Sequence, residues 1–266
     1  MPAKLNKTAL ITGASSGLGA EFARQLAAKG YDLILVARRE DRLSELHRTL
    51  TATFGIDVNA IPADLSDMAT IDHISQVITV TSNLELLINN AGYALLGRFY
   101  RVDIAKELAQ LRVHTVAPVM FCRAALPGMV SRDAGAIINV ASLAGFISVR
   151  NVLYNSTKSF LVNFSEALQL ELRKTHIHVQ ALCPGYVTTE FHDTAEFAQF
   201  SFRSVPRFLW LSSQQVVSES LAALNRGKVI CIPGNIYKLI GFLGRNSLTA
   251  GLIDKASVYI LRKGKS

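Results

Sequence analysis

Tyr154 and Lys158 lie four positions apart, and both side chains can take part in proton transfer. Residues at this spacing lie on the same face of a helix. A free tyrosine has a pKa of about 10, and a neighbouring ammonium group lowers that pKa because it favours the tyrosinate. The pair could therefore exchange a proton with a substrate oxygen near neutral pH, although a Tyr and a Lys at this spacing also occur as a simple surface pair.

Further upstream, Ser142 follows the apolar run Ala136–Ala141. A hydroxyl at that place could hydrogen-bond a substrate oxygen and orient it toward the tyrosine. A serine at the end of a strand is more often a turn or capping residue. The chemical interpretation of Ser142 therefore depends on its placement together with Tyr154.

A glycine-rich segment lies near the amino end, between a predicted strand and a predicted helix. Glycine there permits a tight turn and lets a phosphate approach the backbone, and the free amides at the start of the helix attract anions. Because the segment has this strand-loop-helix context, it predicts a dinucleotide phosphate site. The candidate binding residues in it are Gly13, Ser15, Ser16, Gly17, Leu18 and Gly19.

The second predicted strand ends at Ala37 and is followed by Arg38 and Arg39. An acidic residue at this strand end would bind the ribose hydroxyls of NAD, whereas a guanidinium can pair with the 2′-phosphate of NADP. The sequence therefore predicts NADP(H) as the cofactor, with Arg38 as the first candidate for the phosphate contact and Arg39 as the second. The alternative is that both arginines are solvated residues at a helix start, balanced by Glu40 and Asp41.

Short, continuously apolar runs alternate with longer segments whose apolar residues recur every three or four positions. The first pattern is typical of strands buried on both faces of a parallel sheet, and the second of amphipathic helices. The alternation predicts an α/β fold, a single-domain, Rossmann-like, doubly wound parallel sheet of about seven strands. The predicted strands are Thr8–Thr12, Asp32–Ala37, Val58–Pro62, Leu84–Asn89, Ala136–Ala141, His178–Cys183 and Val229–Ile232. The predicted helices are Glu21–Lys29, Asp41–Phe54, Ile71–Ser82, Ala105–Met129 and Tyr154–Lys174.

With these residues in hand, the chain resembles the classical short-chain dehydrogenase/reductase family over nearly all of Thr8 to Ile232. Further landmarks follow in the family's order after the third, fourth, fifth and sixth strands. They are Asp64, then Asn89-Asn90-Ala91-Gly92, then Ser142 with Tyr154-Asn155-Ser156-Thr157-Lys158, and finally Pro184-Gly185 with Thr189.

The resemblance implies a role for each of these landmarks. Asp64 would contact the adenine ring, Asn90, Ala91 and Gly92 would line the cofactor site together with Pro184 and Gly185, and Thr189 would contact the nicotinamide amide. Tyr154 would be the catalytic acid/base, Ser142 would position the substrate oxygen, and Lys158 would tune the tyrosine and hold the nicotinamide ribose. The implied reaction is hydride transfer between NADP(H) and a ketone or secondary alcohol.

Two places depart from the family pattern. Where the family often has an asparagine that helps to anchor a water in the proton relay to the lysine, this chain has His114. An imidazole can donate and accept, so His114 is either a member of a modified relay or a satisfied buried histidine. The spacing from Ser142 to Tyr154 is also one residue shorter than in the family, and the loop Phe146–Leu153 would have to absorb that difference.

The segment 190–215, after the sixth strand, is rich in aromatic residues and is interpreted as a lid. Aromatic lids exclude water and bury apolar ligands, which predicts a small apolar carbonyl or alcohol substrate rather than a sugar. The alternative is that the rings only pack the segment against the body of the protein. The rings are those of Phe191, Phe197, Phe200, Phe202, Phe208 and Trp210.

The charge is concentrated near the carboxyl end. The chain of 266 residues carries a net charge of +8, and residues 226–266 hold eight basic side chains and one acidic, a net +7. We therefore divide the chain into a catalytic domain, 1–235, and a basic amphipathic segment, 236–266. Packing on the domain or across a homodimer or homotetramer is the first interpretation of this segment, and peripheral contact with an anionic membrane is the second. No recognition motif supports nucleic acid as a partner.

The composition sets wider limits. Half of the residues are hydrophobic and 18% are charged, which excludes disorder as the main state. Cys and His residues lack the spacing of metal ligands, so no metal site is predicted. No signal-peptide core and no uninterrupted apolar run of about 20 residues occurs, which predicts a cytoplasmic protein without a spanning helix. The alternatives to an enzyme are a cofactor-binding sensor or a membrane-surface interaction protein on the same fold with little turnover.

Overall fold

A seven-stranded parallel sheet forms the centre of the protein. The structure is a computed structural model, and it describes residues 6–147, 151–190 and 205–245. The strands of the sheet are β1 (Thr8–Thr12), β2 (Asp32–Ala37), β3 (Val58–Pro62), β4 (Leu84–Asn89), β5 (Gly135–Val140), β6 (Ile177–Leu182) and β9 (Ile230–Cys231), and two short strands, β7 (Val187–Thr188) and β8 (Leu211–Ser212), pair with each other outside it. The spatial order of the strands in the sheet is β3-β2-β1-β4-β5-β6-β9, so the chain winds outward in one direction from β1 to β3 and in the other from β4 onward.

Helices cover both faces of the sheet. They are α1 (Gly17–Ala27), α2 (Glu40–Phe54), α3 (Met68–Val80), α4 (Ile104–Leu111), α5 (Ala117–Arg132), α6 (Val152–Glu171), α7 (Ser213–Leu224) and α8 (Asn235–Arg245). One buried cluster joins the sheet to α1, α2 and α7, with Phe22 and Leu43 in it. A second joins the other face to α3 and α5, with Ile74 and Phe121 in it. The predicted doubly wound α/β fold is confirmed.

The strand predictions were accurate because short, mostly apolar runs bounded by turn residues are typical of strands buried on both faces. The first four strands match residue for residue, and β5 and β6 begin and end one residue earlier than predicted. β1 is buried along its whole length, whereas β3 at the sheet edge is not. Pro62 ends that edge strand, where its missing N–H interrupts no ladder.

The predicted single helix Ala105–Met129 is wrong in one respect. Helices α4 and α5 are separated by a π-helical turn over Arg112–Val116. Pro118 lacks the N–H that an α-helix would use to bond the carbonyl of His114, so the regular pattern cannot run through this point. Such π turns occur frequently at functional sites, and this one contains His114.

The run Ile104–Arg132 is also the one described helical run long and apolar enough to cross a membrane, by length and composition only. Phe121, Cys122, Ala125 and Met129 of this run are buried in the core against the sheet. Its burial is that of a core helix packed between the sheet and α3.

Helix α8 opens the carboxyl-terminal segment and lies against the catalytic domain. Its Tyr237 is buried, and the hydroxyl accepts a hydrogen bond from the amide of Tyr186 at 3.1 Å and donates one to the carbonyl of Leu209. A Cβ on Gly185 would lie 2.2 Å from the ring of Tyr237, so only glycine permits this packing. Residues 246–266, the rest of the predicted basic segment, lie outside the described residues.

Candidate active site

The predicted catalytic residues meet at the carboxyl edge of the sheet. Tyr154 lies in the first turn of α6, and the N-cap residue Asn151 fixes that turn by accepting the amide of Tyr154 at 3.2 Å. Ser142 follows β5 and is hydrogen-bonded to Tyr154. The fold therefore brings the hydroxyls of Ser142 and Tyr154 together, although the spacing between these two residues is one residue shorter than in the family that the sequence resembles.

Lys158 lies one helical turn further along α6, beneath the tyrosine. Its ammonium group is 5.6 Å from the centre of the Tyr154 ring and donates to the carbonyl of Val140 at 2.7 Å. The lysine is 5% exposed, and this burial lowers its pKa to about 8. The site thus holds a buried lysine close to Tyr154, and this lysine is charged below about pH 8 and neutral above it.

The pKa of Tyr154 shifts in the direction opposite to the one that the sequence predicts. Burial raises the pKa of Tyr154, and the hydrogen bond with Ser142 lowers it by less. The ammonium of Lys158 lies over the ring and is bonded to Val140, so it does not offset the loss of solvation. The chain's own groups therefore hold Tyr154 in its protonated form, ready to donate.

His114 is completely enclosed by this site. Its Nε2 accepts the amide of Tyr93 at 3.1 Å, which places the proton on Nδ1, and Nδ1 lies 3.0 Å from the hydroxyl of Thr157. Thr157 in turn donates to the carbonyl of Tyr154 at 2.8 Å. Burial first, and then the charge of Lys158, lower the pKa of His114 well below its usual range. These are the contacts of a satisfied, neutral histidine, the second of the two roles that the sequence leaves open, and the relay role stays a prediction.

The glycine-rich loop connects β1 to α1, as predicted. Gly13 and Gly17 have φ values of +65° and +54°, which favour glycine, and a Cβ on Gly19 would lie 2.2 Å from the carbonyl of Gly13. Ser16 is the N-cap of α1 but makes no side-chain hydrogen bond to the helix, so its hydroxyl does not use the first amides. Leu18 packs against the core. The loop has the geometry of a helix-terminal phosphate site.

The signature after β4 braces this loop. The side-chain amide of Asn90 donates to the carbonyls of Thr12 and Gly13 at 2.8 and 3.2 Å, and the hydroxyl of Thr12 accepts the amides of Asn90 and Ala91 at 2.9 and 3.0 Å. Gly92 lies against His114, because a Cβ there would be 3.0 Å from Nε2. The loop and the catalytic helix are therefore joined through one short segment.

The remaining predicted contacts surround the same edge of the sheet. Asp64 follows β3 and accepts the amide of Ser66 at 2.9 Å. The carbonyl of Pro184 accepts the amide of Leu143 at 2.9 Å, which ties the end of β6 to the residue after Ser142. Thr189 lies beside the phosphate loop, 3.2 Å from where a Cβ on Gly17 would be.

Of the two candidate arginines, Arg39 reaches the phosphate loop. Its guanidinium donates to the hydroxyl of Ser15 at 3.1 and 3.2 Å and to that of Ser16 at 2.5 Å. Arg38 is exposed, and none of the hydrogen bonds found among the described residues joins it to the loop. The structure thus brings the second candidate, and not the first, to the loop.

Four residues of the site were missed from the sequence. Asn151 caps α6, and a recognisable signal existed, because Asn immediately before a helix is a preferred N-cap. Thr157 links His114 to Tyr154 and gave no signal beyond its place in the helix. Arg42 and Glu190 form an ion pair beside Arg39, which only the fold brings together, since they lie far apart along the chain.

The assembled residues fit a nicotinamide dinucleotide. The loop offers a backbone cradle that side chains on Gly13 or Gly19 would fill, Arg39 offers a guanidinium at its rim, and Lys158 offers a buried cation beside the proposed acid. In residues 6–147, 151–190 and 205–245, no group of three or more His, Cys, Asp or Glu side chains could hold a metal ion.

Comparison with known proteins agrees with this geometry. The family model described as short chain dehydrogenase matches residues 7–198. A ketoacyl reductase, HetN, of Nostoc sp. is 30% identical over 256 residues, 95% of this chain and 86% of that protein. An NADP-dependent 3-hydroxy acid dehydrogenase of Schizosaccharomyces pombe is 35% identical over 189 residues, 70% of this chain and 73% of that protein.

A solved structure has the same fold over most of its length. A short-chain dehydrogenase from Sphingobium yanoikuyae, in complex with NADPH, matches with a TM-score of 0.81 and 33% identity, and the match covers 86% of this chain and 88% of that one. Fold, site and likeness agree, so the chain belongs to the classical short-chain dehydrogenase/reductase family and is an oxidoreductase that acts on CH–OH and C=O groups with a nicotinamide dinucleotide.

Proposed function

We propose that this protein is an NADP(H)-dependent reductase of apolar ketones, with Tyr154 as the acid. The observation that carries the proposal is the contact of Ser142 with Tyr154 above the buried Lys158. When bound, the nicotinamide supplies or takes the hydride. Ser142 donates a hydrogen bond to the substrate oxygen, and Tyr154 gives its proton as charge develops there. Lys158, whose ammonium lies 5.6 Å from the ring centre, offsets only part of the cost of forming the tyrosinate and would hold the nicotinamide ribose.

The apolar character of the substrate is supported by two aromatic side chains from the segments that follow β6. Tyr186 and Trp210 pack with ring centres 5.4 Å apart, and Tyr186 lies two residues beyond Pro184, which is bonded to the residue after Ser142. Phe191, Phe197, Phe200 and Phe202 of the predicted lid lie outside the described residues. A very-long-chain 3-oxoacyl-CoA reductase of Rattus norvegicus is 32% identical over 197 residues, which are 70% of this chain and 61% of that protein. We therefore take 3-oxoacyl thioesters as the first substrate class to test.

Oxidation of NADPH with a panel of carbonyl compounds tests this proposal. The panel contains medium- and long-chain 3-oxoacyl thioesters, bulky apolar ketones and keto sugars, each with the Tyr154→Phe protein as control. We expect turnover with the apolar compounds and its loss in the variant. Preferred turnover of the sugars, or turnover unchanged in Tyr154→Phe, would contradict the proposal, and absence of turnover with every compound would favour the alternative of a cofactor-binding sensor.

The preference for NADP(H) is supported by Arg39, whose guanidinium lies over Ser15 and Ser16. Affinities for NADPH and NADH, measured by titration of the cofactor's fluorescence, test it directly. We expect the tighter binding for NADPH. Equal affinities would remove the NADP(H) assignment while leaving the oxidoreductase intact.

Self-association is supported by exposed apolar side chains on neighbouring helices. Ile104 and Leu108 of α4 and Val152 and Phe160 of α6 are exposed, and α4 contacts α6. We propose that these helices form the contact of a homodimer or of a homotetramer. Sedimentation equilibrium should show a species of at least twice the chain mass, and the Leu108→Lys substitution should weaken this association. A monomer at micromolar concentration would contradict this proposal.

A specific observation also favours peripheral contact with an anionic membrane. On α8, Leu239 and Phe242 are 59% and 70% exposed, and residues 226–266, which include the helix, hold eight basic side chains and one acidic. Apolar side chains flanked by basic ones bind lipid surfaces that carry negative charge. We place this contact second to packing between copies of the chain, and a cytoplasmic location stays a prediction.

Vesicle co-sedimentation of the full chain separates these possibilities. Truncation at Gly234 would remove the buried Tyr237, so we prefer the double variant Leu239→Ser/Phe242→Ser. The matched control, Val80→Ser/Val130→Ser, changes two exposed valines on other helices. We expect binding to phosphatidylserine vesicles in the parent and the control only. Equal behaviour of all three proteins at low salt would contradict the membrane contact.

A further inference from the structure

One carboxylate, that of Glu190, pairs with two arginines, and one of them, Arg39, also contacts the phosphate loop. Oε2 of Glu190 is 3.1 Å from the guanidinium of Arg39, and it also accepts from the guanidinium of Arg42. Both guanidiniums, Arg42 first, lower the pKa of Glu190, so this group is ionised at neutral pH. The three side chains keep 41 to 49% of their surface exposed.

The same guanidinium of Arg39 is bonded to the loop. It spans from Glu190 on one side to the hydroxyls of Ser15 and Ser16 on the other. Glu190 follows Thr189, which lies beside Gly17 of the loop. The ion pair therefore stands at the rim of the phosphate site, and not on a remote surface.

The carboxylate of Glu190 cancels an excess of positive charge at the start of α2. Without Glu190, the three arginines 38, 39 and 42 outnumber the two acids of the first turn of α2, Glu40 and Asp41, and leave an excess of one positive charge. With Glu190 the excess is gone. A 2′-phosphate and a carboxylate are both anions that bind guanidinium N–H donors, so a carboxylate already bonded to Arg39 and Arg42 leaves fewer free donors and less net positive charge for the phosphate.

We infer that Glu190 is a specificity-determining residue, whose carboxylate competes with the cofactor's 2′-phosphate for Arg39 and Arg42 and so limits the preference for NADP(H) over NAD(H). The inference rests on the proposed function only in assigning the 2′-phosphate to these arginines. It differs from the expected acidic residue at the end of the second strand, because Glu190 comes from the segment after β7 and acts on the arginines instead of on the ribose.

The test uses two probes that differ only in the phosphate at issue, 2′,5′-ADP and 5′-AMP. Their dissociation constants are measured by calorimetry for the parent and for Glu190→Gln. Exposed ion pairs are weak and Glu190 makes two of them, so removal of its charge should tighten 2′,5′-ADP by about three- to tenfold. Binding of 5′-AMP should not change, and NADPH and NADH should follow the same pattern.

Matched variants separate the contact from a general change of charge. Glu40→Gln removes one negative charge from the first turn of the same helix and should leave the ratio of the two constants near that of the parent. Glu190→Asp keeps the charge and should stay close to the parent as well. In a protein that carries Arg39→Ala and Arg42→Ala, the effect of Glu190→Gln should vanish, because its two partners are gone.

The results also distinguish this inference from the proposed function. Equal binding of NADPH and NADH by the parent would contradict the NADP(H) assignment, yet a gain of 2′,5′-ADP affinity in Glu190→Gln would still support the competition. Weaker or unchanged 2′,5′-ADP binding in Glu190→Gln, an equal gain for 5′-AMP, or the same gain in Glu40→Gln would overturn the role of Glu190.

Discussion

At the catalytic end of the candidate site Lys158 is 5% exposed, whereas at the phosphate end Arg39 and Glu190 keep 43% and 49% of their side chains in solvent. Charge in the first region is held by single, short hydrogen bonds, such as that from Lys158 to the carbonyl of Val140. Charge in the second region is shared among three side chains that salt can screen.

This difference separates two tasks. Burial shifts pKa values, as the value of about 8 for Lys158 shows, and so prepares the groups that handle a proton. Exposed ion pairs shift pKa values less and contribute little to stability, but a ligand can replace one partner at low cost. We therefore expect substitutions at the catalytic end to change rate and pH dependence, and those at the phosphate end to change cofactor affinity and salt dependence.

The largest effect should come from Tyr154→Phe. The ring keeps its packing and loses only the hydroxyl that is bonded to Ser142, so the fold and NADPH affinity should be retained. Turnover should fall by about 10²- to 10⁴-fold, the usual contribution of a positioned acid. Steady-state kinetics with the best ketone of the panel measures this, and a loss of NADPH affinity of similar size would show that the two regions are not separate.

Lys158→Met should change how stability depends on pH. Because the folded protein holds the pKa of Lys158 at about 8, below its ordinary 10.5, the unfolded chain binds more protons between these values. The parent should therefore gain about 3 kcal/mol of unfolding free energy as the pH rises from 8 to 10.5, on account of this lysine alone.

Urea unfolding of both proteins at a series of pH values measures this difference. The methionine variant should be the more stable one below pH 8 and lose that advantage toward pH 10.5, and its turnover should fall sharply. Parallel stability curves would show that the lysine is not buried as a charge. The conservative Lys158→Arg, which keeps its charge throughout, should give neither the pH dependence nor full activity.

Arg39→Ala should weaken NADPH binding by about tenfold and leave NADH binding almost unchanged. The exposed position implies that the difference shrinks as salt rises from low to high concentration. Arg38→Ala is the matched control, because Arg38 is its neighbour and none of the contacts described for the loop comes from it. A larger effect of Arg38→Ala would return the phosphate contact to the first candidate of the sequence.

The smallest effect should come from His114→Asn. Burial holds the pKa of His114 well below 6.5 in the folded protein, so below pH 6.5 this histidine binds a proton in the unfolded chain but not in the folded one. The parent should therefore lose about 1 kcal/mol of unfolding free energy for each pH unit below 6.5. Asparagine can still accept the amide of Tyr93 and does not titrate, so the variant should lose less on acidification. Denaturant titrations at pH 7 and at pH 5.5 would detect this difference, and equal losses in both proteins would show that His114 is not held neutral.

Much of the fold could be predicted from residue order alone. Short, mostly apolar runs such as Leu84–Asn89 are typical of a strand buried on both faces, and the alternation with amphipathic helices leaves few topologies. The helix Ala105–Met129 failed because periodicity is nearly the same on either side of a π turn. The effect of Pro118 on the carbonyl of His114 depends on hydrogen bonding, which the pattern does not record.

For the site, the motifs predicted which residues assemble but not how each one is held. Ser142, Tyr154 and Lys158 meet as expected, yet burial reverses the expected shift of the tyrosine pKa. The pairing of Glu190 with Arg39 and Arg42 has no signal in the sequence, since the partners are separated by more than half of the chain.

By itself, the sequence determined the parallel sheet, the glycine-rich loop and which residues are proposed for catalysis, because these depend on local patterns and on motif order. Only the tertiary structure decided which arginine reaches the loop, which carboxylate opposes it and which way the buried pKa values move. Those outcomes depend on distance and on desolvation, and both are set by segments that are remote in the chain and meet only when the sheet and its helices pack.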